Sequence, residues 1–454
     1  MNYKFNETIQ TLFKIFKEHD YQLYLVGGCV RDFLMQQDFD DYDMTTSATP
    51  KQMMDIAEKY HIKVIPTGLK HGTLTFILNH IHIEITTFRC EKLYENNRFP
   101  KEIIFTTSLE EDVKRRDFTM NAIAMDENQL YDYFHGEQDI KDKIIRCVGN
   151  PEQRFDEDAL RILRCLRFSF KLDFAIEKTT WNALQKKAIL LNNISNERIR
   201  DELCKMLMSD HKDILLTLKA SKVLDVILPE FIPTYHFKQD TPWHIYDVFN
   251  HMNAVMNASD GYLLTMKLAL LFHDLSKVDH RTYDDKGIAH FYGHAHASAL
   301  LAKKIMRRLK FDNKTIKEVY TLIEYHDYYM YDTRKSVHKL MYKLNGDYTL
   351  AYKILKIQLA DNKGKNQTMC IQKNRMIYSV MIMLKDMQAN HECFTIKDLN
   401  IDGHDLQTIG FNEKEIGKVL QYLLKFVLNQ QDKNTKEHLL KAAGGYRDEI
   451  IDSE

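Results

Sequence analysis

The spacing of apolar residues changes from strand-like to helix-like along the chain. In the N-terminal part, short apolar runs alternate with helical stretches, namely YQLYLVGG, HIKVIPT, TLTFIL and IHIEITTF. Such runs predict strands, and Asn79 and His80 between the last two predict a hairpin turn. From about Pro151 onward the spacing is helical, as in ALRILRCLRFSFKL, and from residue 241 to the end almost every segment predicts helix.

We therefore expect an α+β protein in which a small mixed β-sheet precedes an all-α remainder. A chain of 454 residues is longer than the chains that fold around a single hydrophobic core, so several domains are expected. Turn-forming stretches, RCVGNPE and PEFIPTYHFKQDTP, mark two boundaries. The predicted parts are a sheet-containing head at 1–147, a helical neck at 148–235, a second helical domain at 236–365 and a helical tail at 366–454.

Composition is that of an ordinary folded protein, with 44% hydrophobic and 28% charged residues. The net charge of −1 gives no general attraction to nucleic acid, so any RNA contact must come from local patches. Seven cysteines without a CxxC pair favour reduced thiols. With no bilayer-length apolar run and no signal peptide, we expect no membrane association and a cytoplasmic location. These bulk properties leave the function open.

The segment LVGGCVRDFLMQQDFDDYDMTTS carries the strongest chemical signal. A strand that ends in a glycine pair, at Gly28, lets backbone N–H groups approach phosphate oxygens, and Arg31 follows one turn into the next helix. Asp41 and Asp43 alternate along a short predicted strand, so both side chains would project to one face. Two such carboxylates can share a pair of Mg²⁺ ions, with Glu84 as a candidate third carboxylate. A solvated acidic turn would show the same Asp-x-Asp spacing.

This segment resembles the first motif of the class II tRNA nucleotidyltransferases, whose fold is similar to the polymerase-beta superfamily. The similarity continues in order through KHGTLTFI, EITTFR, LEEDVKRRDFTMNAIAMD and GNPEQRFDEDALRILRCLRF. It is dense over residues 20–210 and looser beyond them. The stretch MQQDF departs from the family, which often has a glycine there, but the carboxylate spacing survives. The resemblance implies a nucleotidyltransferase head that uses two Mg²⁺ ions.

In RRDFTMNAIAMD, Asp117 and Asn121 stand four residues apart, a spacing that would place them on one face of a helix. The resembled family uses this motif to recognise the ribose, and a 2′-hydroxyl, as both donor and acceptor, suits a carboxylate. Arg116 in the same segment is a further candidate for nucleotide binding. A capped surface helix with ordinary charges would have the same pattern.

In FDEDALRILRCLRF, the spacing of Asp158 and Arg161 points both side chains to one side of a helix. A carboxylate accepts from an exocyclic amine and a guanidinium donates to a ring acceptor, so the pair can accept cytosine and adenine and reject uracil and guanine. The resembled family uses an EDxxR motif in this way, with Glu157 orienting the arginine. Arg164 continues the basic stripe toward triphosphate or RNA. A solvated helix with ordinary ion pairs is the alternative.

Between these motifs, FRCEKLYENNRFPKEIIF corresponds to a flexible loop that CCA-adding members of the family carry and CC-adding relatives lack. Glu95 and Arg98 are its candidate lever residues. The loop favours an enzyme able to add the terminal A, and it does not exclude one that adds A alone.

In the helical half, HIYDVFNH, LALLFHDLSK, FYGHAHAS, EYHD and LADNKGK together resemble an HD-domain phosphohydrolase. Imidazoles mixed with carboxylates suit one or two divalent transition ions that activate water. A single His-Asp pair is also common in ordinary buried helices. The ligands that the resemblance implies are His251, His273, Asp274, His294, His326 and Asp361.

The sequence therefore predicts an enzyme that adds CCA to tRNA 3′ ends from CTP and ATP and releases pyrophosphate, with an additional metal-dependent phosphohydrolase activity in the HD domain. The alternatives are a CC-adding or A-adding relative, a poly(A) polymerase, and an HD phosphohydrolase whose head does not catalyse. A poly(A) polymerase tends to carry a basic C-terminal extension, which the net charge of −1 does not suggest. The pattern does not determine the oligomeric state.

Overall fold

The computed structural model describes residues 5–39, 41–95 and 99–451. The chain packs into two compact units, Met1–Glu230 and Phe231–Glu454. The predicted division into four parts is finer than these two units and stays a prediction. Within the described residues, no helix is both long enough and apolar enough to cross a bilayer.

The N-terminal unit contains the β-sheet. Its strands are β1 (Leu23–Val26), β2 (Tyr42–Thr46), β3 (Lys63–Gly68), β4 (Thr73–Leu78), β5 (Ile81–Thr87), β6 (Arg89–Glu95), β7 (Phe99–Phe105), β8 (Ala124–Met125), β9 (Leu130–Tyr131), β10 (Ile144–Ile145) and β11 (Ala175–Ile176). The order β3-β4-β5-β2-β1-β8-β9 forms one sheet, in which β2 and β5 run parallel and the other neighbours antiparallel. Strands β6 and β7 form a separate hairpin. The predicted small mixed sheet is confirmed.

Helices surround this sheet and follow it. They are α1 (Glu7–Glu18), α2 (Gly28–Leu34), α3 (Pro50–Lys59), α4 (Leu109–Lys114), α5 (Gly136–Lys141), α6 (Pro151–Glu157), α7 (Leu160–Leu172), α8 (Lys178–Lys187), α9 (Asn196–Leu207), α10 (Ile214–Ala220) and α11 (Val223–Ile227). Short 3₁₀ helices lie at Leu69–His71, Thr119–Asn121, Ala188–Asn193 and Pro229–Thr234. The apolar face of α1 packs on the sheet, where Phe16 meets Phe76 with ring centroids 6.1 Å apart.

Local sequence explains where several of these elements begin and turn. Asn79 and His80, between β4 and β5, have φ values of 50° and 64°, the left-handed pair that a two-residue hairpin loop requires. This confirms the predicted turn. Helix α3 begins with proline and is capped by Thr49, whose hydroxyl accepts from the Gln52 N–H while the Gln52 side chain accepts from the Thr49 N–H.

One predicted helical spacing is wrong in the segment RRDFTMNA. Helix α4 ends at Lys114, and the next helical turn is the 3₁₀ helix Thr119–Asn121. Asp117 and Asn121 therefore do not share an α-helix. Phe118 between them is fully buried and takes part in an isolated β-bridge, so tertiary packing draws the chain out of the helical path.

A second predicted helix is interrupted at Asp158. Helix α6 ends at Glu157, and Asp158 is extended, with φ −139° and ψ 102°, before α7 begins at Leu160. The Asp158 carboxylate accepts from the Leu160 N–H at 3.0 Å, so it caps the start of the second helix. Asp158 and Arg161 thus lie at a helix junction, and the prediction that they share one helical face is wrong.

The C-terminal unit is almost entirely helical, as predicted. Its elements are α12 (Val248–Asn257), α13 (Leu264–Phe272), β12 (Thr282–Tyr283), β13 (Ala289–His290), α14 (His294–Arg308), α15 (Asn313–Glu324), α16 (Arg334–Lys343), α17 (Tyr348–Lys363), α18 (Gln367–Ala389), α19 (Gly403–Thr408), α20 (Glu413–Asn429) and α21 (Lys436–Ile451). Helix α13 is buried from Met266 to Phe272, because its sequence LTMKLALLF is apolar on nearly all sides. The residues that follow it, His273 and Asp274, are consequently buried as well.

Candidate functional site

The turn between β1 and α2 brings a guanidinium and a carboxylate close together. Gly27 has φ 84° and precedes α2, which begins at Gly28, the predicted phosphate-facing glycine. A Cβ on Gly27 would lie 3.0 Å from Arg116 Nη1 and 3.9 Å from Asp43 Oδ2. Gly27 is therefore needed both for its positive φ and for the close approach of these two groups.

Carboxylates gather where β2 and β5 run side by side. Asp43 lies on β2, and Glu84 is its direct partner on β5. Asp41 lies just before β2, which begins at Tyr42, so the prediction that both aspartates belong to the strand is wrong by one residue. Asp41, Asp43 and Glu84 all keep contact with solvent.

The charges of these carboxylates act on one another. Partial burial raises the pKa of the Asp43 carboxyl, while Arg116 lowers it and Asp41 raises it. Burial, then Asp43 and Asp41, raise the pKa of Glu84. Like charges that raise each other's pKa create a negative potential that a bound cation would relieve. An all-oxygen donor set fits Mg²⁺.

Arg31 is held in place by side chains rather than by solvent. It is 4% exposed, and its Nη1 donates to Asn121 Oδ1 at 2.8 Å. Its Nε donates to Asp32 Oδ1 at 2.8 Å. The guanidinium carbon lies 5.2 Å from the centroid of the Phe168 ring. Because its acceptors and the ring fix its orientation, Arg31 is preorganised beside the glycine turn.

Asp117 forms the next part of this cluster. Its Oδ1 accepts from Asn121 Nδ2 at 3.2 Å, and its Oδ2 accepts from Arg164 Nε at 2.7 Å. Burial alone would raise the pKa of Asp117, but Arg164 and the hydrogen bond from Asn121 outweigh it and lower the value to about 2. Asp117 and Asn121 are thus brought together as the sequence spacing suggested, though not by a helix. The structure directs Arg164 to Asp117.

Arg161 is clamped at the junction of α6 and α7. Its Nη1 donates to Glu157 Oε2 at 2.7 Å and to the Arg154 carbonyl at 3.0 Å. Its Nη2 donates to the Arg115 carbonyl at 2.8 Å. Arg161 is 7% exposed, and these three hydrogen bonds fix the plane of its guanidinium. Glu157 therefore orients Arg161, while Asp158 stands beside it at the same junction.

Sequence reasoning missed two residues that organise this region. Phe168 is contacted by Arg31, Arg164 and Arg167, whose guanidinium carbons lie 5.2, 5.3 and 4.2 Å from its ring centroid. The i, i+4 spacing of Arg164 and Phe168 was a signal for one of these contacts. Asp112 is a fully buried carboxylate on α4, and only its spacing to the following arginines hinted at its role. The predicted loop residues Glu95 and Arg98 lie outside the described side chains.

In the C-terminal unit, four buried histidines direct their Nε2 atoms toward a common centre and their Nδ1 atoms toward the backbone. The Nδ1 of each lies within hydrogen-bond distance of a backbone carbonyl: 3.0 Å for His251, 2.8 Å for His273, 2.7 Å for His294 and 2.7 Å for His326. Because a carbonyl only accepts, Nδ1 carries a proton in each histidine, and a neutral imidazole in this orientation presents an Nε2 lone pair inward. This is the tautomer that metal binding through Nε2 requires.

Asp274 belongs to both of two groups of candidate ligands. One group is His251, His273, Asp274 and Asp361, and the other is Asp274, His294 and His326; in each, the ligand atoms lie within 4.8 Å of one another. Asp274 Oδ2 lies 3.3 Å from His251 Nε2 and 3.2 Å from His273 Nε2, and Asp274 Oδ1 lies 3.4 Å from His294 Nε2. Buried lone pairs that converge in this way fit divalent transition ions. All six residues predicted as ligands are therefore brought together.

Two lysines and a cavity complete this centre. Lys277 Nζ lies 2.7 Å from Asp274 Oδ2, and Lys365 Nζ lies 2.5 Å from Asp361 Oδ2. A cavity of about 490 Å³ opens beside them, lined by both lysines, by His294 and His326 and by several aromatic side chains. Sequence reasoning did not identify the lysines. A pocket with cations next to candidate metal ligands suits a phosphorylated ligand.

Three family models match successive parts of the chain. Residues 23–146 match the "Poly A polymerase head domain". Residues 173–234 match the "Probable RNA and SrmB- binding site of polymerase A", and residues 281–443 match "tRNA nucleotidyltransferase domain 2 putative". The first match contains the carboxylates of β2 and β5.

Curated proteins and solved structures agree with these matches. The CCA-adding enzyme of Staphylococcus epidermidis is 44% identical over 276 residues, which are 59% of this chain and 67% of that enzyme. That of Staphylococcus saprophyticus is 46% identical over 205 residues, 45% of this chain and 50% of that enzyme. The matched segments thus span half to two thirds of these relatives. A crystal structure of the Bacillus stearothermophilus CCA-adding enzyme in complex with CTP has 25% identity and a TM-score of 0.74, and the match covers 99% of each chain.

Proposed function

The chain belongs to the family of the CCA-adding enzymes, and from that premise we propose that it adds CCA to the 3′ end of tRNA. The substrates would be CTP and ATP, and pyrophosphate would leave. The observation that carries the proposal is the pairing of Asp43 with Glu84 across β2 and β5, with Asp41 nearby and the Gly27 turn beside it. With tRNA as its substrate, we propose a cytoplasmic location for the chain.

Asp41 and Asp43, with Glu84 as a third carboxylate, are the residues that would hold two Mg²⁺ ions. Bound there, the ions would supply activation of the attacking 3′-hydroxyl and neutralisation of the triphosphate. The raised pKa values of Asp43 and Glu84 support this assignment, because crowded carboxylates bind a cation more readily than a proton at neutral pH.

The remaining groups of the head would bind and orient the nucleotide. Arg31 and Arg116 are the cations nearest the glycine turn at Gly28, and we assign them to the triphosphate. Asp117 and Asn121 would meet the ribose. Since both oxygens of Asp117 already accept hydrogen bonds, a 2′-hydroxyl would have to share it with Arg164 or Asn121.

Nucleotide selection is assigned to Asp158 and Arg161. The clamped guanidinium would donate to the acceptor on the Watson–Crick edge, and the carboxylate would accept from the amine that cytosine and adenine share. Glu157 would hold the plane of Arg161. Uracil and guanine present a carbonyl where the amine should be, so the site would reject them.

The test uses the full chain with Mg²⁺ and labelled CTP or ATP. Three tRNA transcripts, ending at the discriminator base, at C and at CC, serve as primers. The proposal predicts that each is completed to CCA and then stops. Completion of only CC or only A would assign the chain to a CC-adding or A-adding relative, and long A tails on unrelated RNA would make it a poly(A) polymerase.

A second candidate activity rests on the inward Nε2 atoms and the two carboxylates of the C-terminal unit. We propose that His251, His273, Asp274, His294, His326 and Asp361 hold one or two divalent transition ions, which would supply an activated water. Lys277 and Lys365 would face the phosphate of a phosphorylated substrate in the adjoining cavity. Hydrolysis of phosphate monoesters and cyclic phosphates with Mn²⁺, Co²⁺ or Ni²⁺, lost in Asp274→Asn, tests this activity. No hydrolysis with any of these ions would remove it.

A further inference from the structure

Asp112 on α4 is a buried carboxylate that links three parts of the head. It is 0% exposed. Its Oδ2 accepts from the Thr45 hydroxyl at 3.0 Å, and its Oδ1 accepts from the Arg89 N–H at 3.2 Å. Thr45 lies on β2 two residues after Asp43, and Arg89 is the first residue of β6. Asp112 is thus fixed against the strand that carries the proposed cation ligand.

Two guanidiniums also face Asp112. Arg115 donates to Oδ1 from Nε at 3.1 Å and from Nη2 at 2.9 Å. Arg116 Nη2 lies farther away, 3.9 Å from Oδ2. Burial acts to raise the pKa of Asp112, but Arg115 and Arg116 outweigh it and the pKa is lowered, so the carboxylate is charged at neutral pH.

Arg116 is influenced by two carboxylates, Asp112 and Asp43. Its Nη2 lies 3.9 Å from Asp112 Oδ2, and a Cβ on Gly27 would lie 3.0 Å from its Nη1 and 3.9 Å from Asp43 Oδ2. Its Nε is buried and donates no hydrogen bond of normal geometry to any of the described residues. Both acids therefore attract the guanidinium. In the described structure it forms a close, bidentate ion pair with neither of them.

We propose that Asp112 is a positioning residue whose charge holds Arg116 back from Asp43 and so keeps Asp43 available to a divalent cation. A guanidinium that paired with Asp43 through two hydrogen bonds would neutralise it and occupy its oxygens. The same balance leaves Arg116 near the turn, where a triphosphate would compete for it. The inference rests on the proposed head function, because it takes Asp43 as a cation ligand.

The test is direct Mn²⁺ binding, measured by the electron paramagnetic resonance of free Mn²⁺ without nucleotide. All proteins carry Asp274→Asn, which disables the centre in the C-terminal unit. The Mn²⁺ binding that is lost when Asp43→Asn is added to this background is assigned to the head site. Asp112→Asn keeps the shape of the side chain and removes its charge, and it should raise the Kd of the head site roughly tenfold.

Asp139 offers a matched control in the same unit. It is 5% exposed, accepts from the Thr119 hydroxyl at 2.7 Å and pairs with Arg146 at 3.1 Å. Asp139→Asn removes a buried, arginine-paired charge away from Asp43. It should lower Tm and leave the Kd of the head site within about twofold of its parent. An equal loss of affinity in both variants would overturn the inference, because the effect would then be general destabilisation.

Thr45→Val provides a second variant if Asp112→Asn does not fold. It removes a hydroxyl donor from Asp112 Oδ2 without changing any charge, which leaves that oxygen to Arg116. Its Kd should stay unchanged or fall, and a rise like that of Asp112→Asn would contradict the inference. The Kd values are measured whether or not the chain adds nucleotides. A failure of nucleotide addition is therefore distinguishable from a failure of this inference. The inference fails if the Mn²⁺ affinity does not depend on Asp43 or does not depend on Asp112.

Discussion

Asp43 on β2 and Glu84 on β5 are direct partners across two parallel strands. Paired residues of neighbouring strands project to the same face of a sheet, so the two carboxylates are held together by backbone hydrogen bonds rather than by a flexible loop. Burial raises the pKa of both carboxyls, and neighbouring negative charge adds to the rise, from Asp41 on Asp43 and from Asp43 and Asp41 on Glu84. The fold therefore maintains an electrostatically unfavourable arrangement that a cation would stabilise.

Replacing Asp43 should lower the activity without lowering the stability of the fold. We expect Asp43→Asn to lower nucleotide addition at least about 10³-fold, because one of the carboxylates that would hold the Mg²⁺ ions is lost. Its Tm should be unchanged or higher, since one of the repelling charges is gone. Steady-state addition assays and thermal unfolding measure the two effects. A large fall in Tm would instead mean that Asp43 is structural.

Arg161 should control which nucleotide is added. We expect Arg161→Ala to lower the preference for CTP over UTP by about 10²-fold, because the donor to the base edge is lost. Glu157→Gln should have a smaller effect, since the Arg154 and Arg115 carbonyls still hold the guanidinium. Ratios of kcat/KM for CTP and UTP give the comparison. Equal preference in wild type and Arg161→Ala would contradict the assignment.

Asp117 should contribute stability that is lost in acid. Its pKa is about 2 in the folded protein against an ordinary 3.8, so the folded state binds fewer protons between these values. The contribution is complete above about pH 5 and falls as the pH drops through 3.8 toward 2. We expect the difference in unfolding free energy between wild type and Asp117→Asn to be about 1 kcal/mol smaller at pH 3 than at pH 5. Urea titrations at the two pH values measure it, and a constant difference would contradict the ion pair with Arg164.

The sequence predicted which residues come together more accurately than it predicted the secondary structure on which they lie. The Asn79 turn and the mixed sheet followed from short-range rules. The breaks after Lys114 and at Asp158 did not, because burial of Phe118 and capping by the Asp158 carboxylate override helical spacing. The pairing of Arg164 with Asp117 joins segments that are distant in the chain, and no periodic pattern encodes it.

The proposed metal site of the C-terminal unit should respond to ions independently of the head. After chelator treatment, Mn²⁺ or Co²⁺ should raise Tm by about 5 °C, because a ligand that binds only the folded state stabilises it. His294→Gln should reduce this shift both in the wild-type chain and in an Asp43→Asn chain, which lacks the proposed head site. Differential scanning calorimetry provides the measurement. The same shift in His294→Gln as in wild type would exclude this histidine as a ligand.

The most direct test of the central claim is to sequence the 3′ ends that the full chain makes on a tRNA transcript lacking CCA. All four nucleoside triphosphates are supplied at equal concentration with Mg²⁺. The account predicts ends that read CCA and stop, and unextended ends with Asp43→Asn. Ends that do not grow, that carry other bases, or that grow equally with Asp43→Asn would contradict it.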